Sequence, residues 1–255
     1  MPRFSANIGF LWAELPFVER IRAAAVAGFE AVECHFPYDE PVEEVTAVLA
    51  ETGLPLLGLN TRLGLNGLED FGVAARPDRV VEARNYIDEA ISYAVATGCR
   101  NINVVPGRTG RAEGCEMTFR DNLAYACART ALHGKGVLIE TINQRSAPDF
   151  HLSLTSQAVE TINAVGADNL KLMFDCFHVQ IMEGDLCQRL EALVPVIGHV
   201  QISAVHDRGE PDVGEIDYPW LLGRLDALGW SGFVGAEYQP RDTTDAGLDW
   251  TSSYR

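Results

Sequence analysis

Lysine is almost missing from this chain. Only Lys135 and Lys171 occur among 255 residues, against 36 acidic side chains, and the formal net charge is −16. Such a surface suits a nucleic-acid phosphate backbone poorly, because that binding rests on clustered Lys and Arg. Both lysines stand at the start of apolar runs, away from the polar residues that end them, which disfavours a Schiff-base reaction needing an amine among the reacting groups. No run of 18 apolar residues exists. The N-terminus has a lone Arg3 and a short apolar patch broken by Asn7, then Glu14 and Pro16, so neither a membrane span nor a signal peptide is expected. The six cysteines (Cys34, Cys99, Cys115, Cys127, Cys176, Cys187) form no C-x-x-C pair, which argues against a zinc ribbon or a disulfide scaffold and for a reducing cytoplasm. A G-x-S-x-G elbow and a Walker A loop are also lacking. "GRTGRAEG" at 107–114 has no Lys-Ser/Thr ending and reads as a flexible lid rather than a phosphate cradle.

What is present is a repeat marked by glycine. Helix-like stretches end at Gly28, Gly53, Gly98, Gly134, Gly166 and Gly229, and each is followed by a short apolar run. Glycine tolerates the left-handed conformation that closes a last helical turn, so each marks a helix-to-strand junction. Val80, Ala83, Ile87, Ile91 and Ala94 recur at helical spacing, as do Leu221, Leu225 and Leu228, and Asp217 with Pro219 signals a helix start. With "FSANIGFL" and "VIGHVQISAV" added, eight strands are expected near 4–11, 31–36, 54–60, 101–107, 136–143, 170–175, 197–205 and 233–239. Their near-continuous apolar character fits parallel strands covered on both faces. Strict alternation over this length predicts an α/β fold, a (β/α)8 TIM barrel, as a single domain over 1–255. An open doubly wound sheet is the alternative, but the G-x-G-x-x-G expected after its first strand is missing. A short final helix and a tail are expected at the C-terminus, where Trp250 is either an oligomer contact or a seal on the barrel.

In such a barrel the reacting groups lie at the C-terminal ends of the strands. Strands five to eight end in Glu140, Asp175, Gln201 and Glu237. Each alone has an ordinary reading: a hydrogen bond within the barrel, a cap for the next helix, a satisfied buried amide, an ion pair with Arg241. Their agreement in position favours a shared role. Three carboxylates meeting in an apolar mouth raise one another's pKa unless a cation neutralises them. Oxygen ligands suit Mg²⁺ or Mn²⁺ best, with Zn²⁺ and Co²⁺ as further options.

His178, three residues after Asp175, is a candidate donor to substrate or supporting partner, with a loop histidine as the ordinary alternative; His35 is a weaker candidate. His133 and His151 receive no role. In "AVHDRGEPDVGEIDY", Arg208 is placed to grip an anionic group with two prongs, supported by His206 or Glu210; the alternative is a solvated pair with Glu210 or Asp212.

With these residues in hand, the chain resembles the xylose isomerase-like TIM-barrel superfamily and, within it, the hydroxypyruvate isomerase family. "NIGFLWAELPF", "VECHFPYD", "IETIN", "NLKLMFDCFHVQIMEGDL", "GHVQISAVHDRGEPDVGEIDY" and "GFVGAEYQP" carry the likeness over nearly the whole length. The resemblance implies a metal held by Glu140, Asp175, Gln201 and Glu237, with Glu140 and Glu237 as proton shuttles and His178 and Arg208 on substrate. Gln201 stands where ketose 3-epimerases of the superfamily usually have His. The expected reaction interconverts hydroxypyruvate and tartronate semialdehyde through an enediolate. Isomerisation of 2-oxo-tetronate, ketose 3-epimerisation and non-catalytic sugar-acid binding are the alternatives. A small hydroxy or oxo acid, no nucleic acid, no membrane and a homo-oligomer complete the expected partners.

Overall fold

The computed structural model describes residues 2–254. Strands and helices alternate: β1 Arg3–Asn7, α1 Phe17–Val26, β2 Ala31–Glu33, α2 Val42–Thr52, β3 Gly58–Asn60, α3 Val80–Thr97, β4 Asn101–Asn103, α4 Cys115–Ala131 and β5 Gly136–Glu140. Then come α5 Thr155–Val165, β6 Leu170–Asp175, α6 Cys176–Met182, α7 Leu186–Leu193, β7 Ile197–Ile202, α8 Tyr218–Ala227 and β8 Phe233–Ala236. Every strand pairing is parallel, in the order β2-β1-β8-β7-β6-β5-β4-β3. Between β2 and β3 the circle closes through the Val32–Leu56 bridge, where Leu57 N–H donates to Val32 O at 2.8 Å. The expected TIM barrel is the observed fold.

The six junction glycines all adopt positive φ, from 63° at Gly134 to 84° at Gly28. Asp217 caps α8 by accepting from Trp220 N–H at 3.1 Å. Ala83, Ile87, Ile91 and Ala94 are buried along α3, so the helical periodicity faces the sheet.

Most strands are shorter than their apolar runs. After β1 the chain turns at once, with Phe10 and Leu11 N–H both returning to Asn7 O. After β4, Pro106 has no N–H to give and Gly107 goes left-handed, which ends the ladder. Apolar character continues past these points because the loops that follow are themselves packed.

The loops after β3 and β4 interlock. Gly72 and Pro106 form an antiparallel bridge, Ala75 N–H donates to Pro106 O at 2.9 Å, and Arg108 N–H donates to Asp70 O at 3.0 Å. On the other side, Thr109 and Gly110 N–H both donate to Asp149 O. The 107–114 segment, expected to be a flexible lid, is therefore tied to both neighbouring loops. The expected short final helix is a 3-10 helix over Asp245–Tyr254, and Trp250 packs edge-on to Phe4 at 5.1 Å, sealing this segment onto the barrel wall.

Gly72 and Gly107 have φ of 105° and 103°, and a Cβ on either would strike the other segment's carbonyl oxygen, Val105 O or Gly72 O. Gly107→Ala should cost about 1–3 kcal/mol through backbone strain alone, lowering the midpoint of thermal or urea unfolding. An unchanged midpoint would mean the two loops are not locked together.

Candidate active site

Of the strand-end side chains, Glu140 and Glu237 line a cavity of about 320 Å³ together with Phe10, Phe36, Phe71, His178 and Arg208, whereas Asp175 and Gln201 are buried behind its lining. Asp175 caps the next helix and also faces the other polar groups of the cluster. Its Oδ1 accepts from Phe177 N–H at 2.8 Å and caps α6, while Oδ2 faces His178 Nε2 at 3.4 Å and Arg208 Nη2 at 3.5 Å. Glu237 lies one residue past β8, still on the ladder through Glu237 N–H to Ile202 O at 3.1 Å. Its Oε1 accepts from Asn7 Nδ2 at 3.0 Å and lies 2.9 Å from His35 Nε2, and its Oε2 accepts from Arg208 Nη2 at 2.9 Å.

Arg208 is thus not a solvated surface residue. Its guanidinium bridges Glu237 and Asp175 and lies between the rings of Phe10 and Phe177, 5.0 and 5.3 Å from their centroids. The two acidic residues proposed as its surface partners bind Arg241 instead, Asp212 at 2.9 Å and Glu210 at 3.1 Å, and Asp207 joins them at 2.9 Å. Neither His206, which is exposed, nor Glu210 supports it. Arg208 has φ of 61°, a strained conformation for a non-glycine residue, held by Arg208 N–H to Ala204 O and Gln239 N–H to Arg208 O.

The protonation of the three carboxylates follows from these neighbours. Burial pushes Glu140 well above the usual carboxylate range, and the charges of Glu237 and Asp175 push it further. Burial also lifts Asp175, to about 7, with Arg208 opposing and Glu237 assisting. For Glu237 burial is outweighed by Arg208 and by the His35 hydrogen bond, which hold it down at about 2. One carboxyl group is firmly ionised and another favours its proton, a few ångströms from common neighbours.

Asn143 was not singled out from the sequence, yet it fixes His178. Asn143 Oδ1 accepts from Ser146 N–H at 2.7 Å, which turns Nδ2 toward His178 Nδ1 at 2.6 Å; Asn143 N–H donates to the same nitrogen at 3.3 Å. Burial, then the Arg208 charge, hold the imidazole well below its usual pKa, so it is neutral. A neutral ring that accepts at Nδ1 carries its proton on Nε2, which points at Asp175 Oδ2 and, at 3.7 Å, at Glu140 Oε1. Glu140, Asp175 and His178 have potential ligand atoms within 4.8 Å of one another and form a possible metal site. In the tautomer that Asn143 selects, however, the imidazole is a donor, and the ligating atoms offered are oxygens.

Gln201 is half satisfied. Its Nε2 donates to Glu33 Oε2 at 3.2 Å, whereas its buried Oε1 has no hydrogen-bond partner among the described residues. A buried carbonyl oxygen left over beside two carboxylate-bearing strands fits a hard divalent cation, so the residues suit the expected metal. Glu33 and His199, 2.8 Å apart, also escaped the sequence reading. His151, given no role, is fully buried between Thr109 Oγ1 and Glu116 Oε2 and anchors loops at the rim.

Comparison with known proteins was consistent along the chain. The family model described as "Xylose isomerase-like TIM barrel" matches residues 21–254. A 2-oxo-tetronate isomerase from Cupriavidus necator is 42% identical, covering 100% of this chain and 99% of the relative. A hydroxypyruvate isomerase from Escherichia coli is 40% identical, covering 100% of both. A solved structure from Brucella melitensis, named as an AP endonuclease of family 2, is 39% identical, covers 100% of both chains and superposes with a TM-score of 0.97. The barrel, the strand-end carboxylates and these full-length similarities agree: the chain belongs to the xylose isomerase-like TIM-barrel family.

Proposed function

We propose that this protein is an isomerase of 3-hydroxy-2-oxo acids that interconverts hydroxypyruvate and tartronate semialdehyde through an enediolate. The observation that carries this reading is the pair Glu140 and Glu237, buried in one cavity with opposite protonation preferences. They stand at the ends of β5 and β8, three-eighths of the way round the barrel from each other, so a substrate between them is approached from different sides. Glu237, ionised, removes the proton from C3. Glu140 delivers a proton to C2, and the hydroxyl proton passes from O3 to O2, so no atom is gained or lost. His178 Nε2–H donates to a substrate oxygen, and Arg208 meets the substrate carboxylate with the donors it does not use on Glu237 and Asp175. Phe10, Phe36 and Phe71 exclude water from the reacting carbon.

When bound, Mg²⁺ or Mn²⁺ held by Glu140, Asp175, Gln201 and Glu237 would stabilise negative charge developing on the substrate oxygens, with Zn²⁺ and Co²⁺ less suited to an all-oxygen set. The relative named 2-oxo-tetronate isomerase supports a second substrate, since a four-carbon 2-oxo acid with a C3 hydroxyl undergoes the same proton shift. The endonuclease name of the Brucella structure points instead to a nucleic acid. Against it stand the net charge of −16 and the pairing of rim arginines with acidic partners, as in Arg79 with Asp70 and Arg241 with Asp207.

Incubation with hydroxypyruvate in D₂O, with and without chelator, tests the reading by NMR: deuterium should enter the substrate carbon and product should form only with metal. Glu140→Gln and Glu237→Gln should each lower turnover by about 10²-fold or more while leaving a folded barrel. Near-normal turnover in either removes the two-glutamate mechanism.

Arg208→Ala should raise KM for hydroxypyruvate at least about tenfold. It should also move the acid limb of the kcat/KM profile to higher pH, because removing a cation raises the pKa of the carboxylates it neutralised. An unchanged KM would show that Arg208 serves the carboxylates alone.

Metal-free protein should lose stability as pH rises. Asp175 is raised to about 7 in the folded state, so between the ordinary carboxylate pKa of about 4 and that value the folded chain binds more protons than the unfolded one. The stabilisation is complete below this window and gone above it. In chelator the thermal midpoint should therefore be lower at about pH 8 than at about pH 5.5, and Mn²⁺ should rescue it more at the higher pH, where no proton has to be displaced.

A further inference from the structure

We infer that Glu33 is a positioning residue that turns the Gln201 amide so that its carbonyl oxygen faces the metal. The inference rests on the metal site proposed above and adds a residue of β2 to it. A carboxylate only accepts hydrogen bonds, and Glu33 Oε2 lies 3.2 Å from the Gln201 amide nitrogen. Rotating the amide by half a turn would set oxygen against oxygen at that distance. The choice between Nε2 and Oε1 is therefore made by Glu33, and the oxygen is left pointing away from it, buried and without a partner among the described residues.

The carboxylate has two further partners besides Gln201. His199 Nε2 lies 2.8 Å from Oε2, and Ser5 Oγ donates to Oε1 at 3.4 Å. Ser5 and His199 each precede by two residues a side chain at the mouth, Asn7 and Gln201, so the Glu33 carboxylate occupies the layer of the barrel immediately beneath the site. Gly235, two residues before Glu237, explains why there is room. A Cβ at that position would collide with Glu33 Oε1, would stand 2.9 Å from His199 Nε2 and would crowd Gln201 Cγ at 3.0 Å. A glycine inside a barrel strand, where it contributes no packing, is accounted for by this trio.

The conclusion is specific. Glu33 should matter to metal binding through the side chain at position 201 and not through its charge alone. Mn²⁺ affinity, measured by titration calorimetry and by the loss of the free-ion electron paramagnetic resonance signal, reads this without turnover. Wild type should bind; if it does not, the metal reading fails and Glu33 is not at issue. Given binding, Glu33→Gln should weaken it about 10–100-fold, the usual cost of losing a partner that orients a ligand. In a Gln201→Ala background the same change should weaken it by less than about twofold further. The exchanged pair Glu33→Gln with Gln201→Glu keeps one amide facing one carboxylate and offers oxygen to the metal whichever way the introduced carboxylate turns, so it should bind within about threefold of wild type. An unaltered affinity in Glu33→Gln, an equal loss in the Gln201→Ala background, or an exchanged pair as weak as Glu33→Gln each overturns the inference.

Discussion

Burying three carboxylates within reach of one another is the constraint from which the rest of the site follows. Glu140, Asp175 and Glu237 would carry three negative charges, and Arg208 is the cation that contacts two of them. Taking each ion out of water costs several kcal/mol, and their repulsion in a low-dielectric mouth adds to it. The molecule has two remedies, and they compete. Protons on Glu140 and Asp175 remove the charge at once, which is what their raised pKa values express. A divalent cation would remove it equally well, since three carboxylates and one guanidinium leave a balance of two. Beneath them His199 lies 2.8 Å from Glu33; burial disfavours a charged imidazole, but the neighbouring carboxylate outweighs it and raises the pKa of His199, which favours a compensating proton in that layer.

The barrel supplies this arrangement through economy of strand length. β2, β3 and β4 have three paired residues each, and the chain then leaves the sheet to build the rim. Loops after β3, β4 and β5 are cross-linked to each other by backbone hydrogen bonds, so the cavity wall carrying Phe71 is fixed without depending on the sheet. On the opposite side the loop after β7 folds back so that Arg208, at positive φ, enters the site while Arg241 gathers Asp207, Glu210 and Asp212. The partition matters: were those acids free to engage Arg208, its charge would be withdrawn from Glu237 and the one ionised base would lose its main support.

The fold was legible in the sequence because its signals are local. A glycine after a helix and an apolar run after the glycine report conformations set within a few residues, and six such units with two further apolar runs leave little choice of topology. The candidate site residues at strand ends were legible for the same reason, since the end of an apolar run is visible as a change of character at Glu140, Asp175, Gln201 and Glu237. Glu33 and His199 were not, because they lie within the paired strands beneath that change of character, and only the folded barrel brings residues 33, 199 and 201 together. Asn143 was hidden by its place in a polar loop. The interior glycine at 235 was a readable clue, since a strand seldom leaves such a gap unless another side chain fills it. Which of two arginines joins which of five acids depends on a left-handed residue at 208, and no pattern of charges along the chain encodes that.

The two glutamates show how far one residue type can be separated by its surroundings. Glu237 meets Asn7, His35 and Arg208, and burial cannot keep a proton on it. Glu140 has Asn103 Nδ2 at 3.4 Å and His178 Nε2 at 3.7 Å, both weak, and two carboxylates for neighbours. The resting site therefore favours an ionised Glu237 and a protonated Glu140, which is the state that the proposed reaction, beginning at the C3 hydrogen of a 2-oxo acid, would require. The reverse reaction starts from an aldehyde whose acidic hydrogen is on C2, and it requires Glu140 to be the ionised partner. In the proposed reaction each forward turnover would move a proton onto Glu237 and take one from Glu140, so the product would leave behind the protonation that suits the reverse substrate. The starting state would return as Glu237, in contact with Arg208 and His35, releases that proton and buried Glu140 takes one up, and those contacts are made by the fold and do not wait for a ligand.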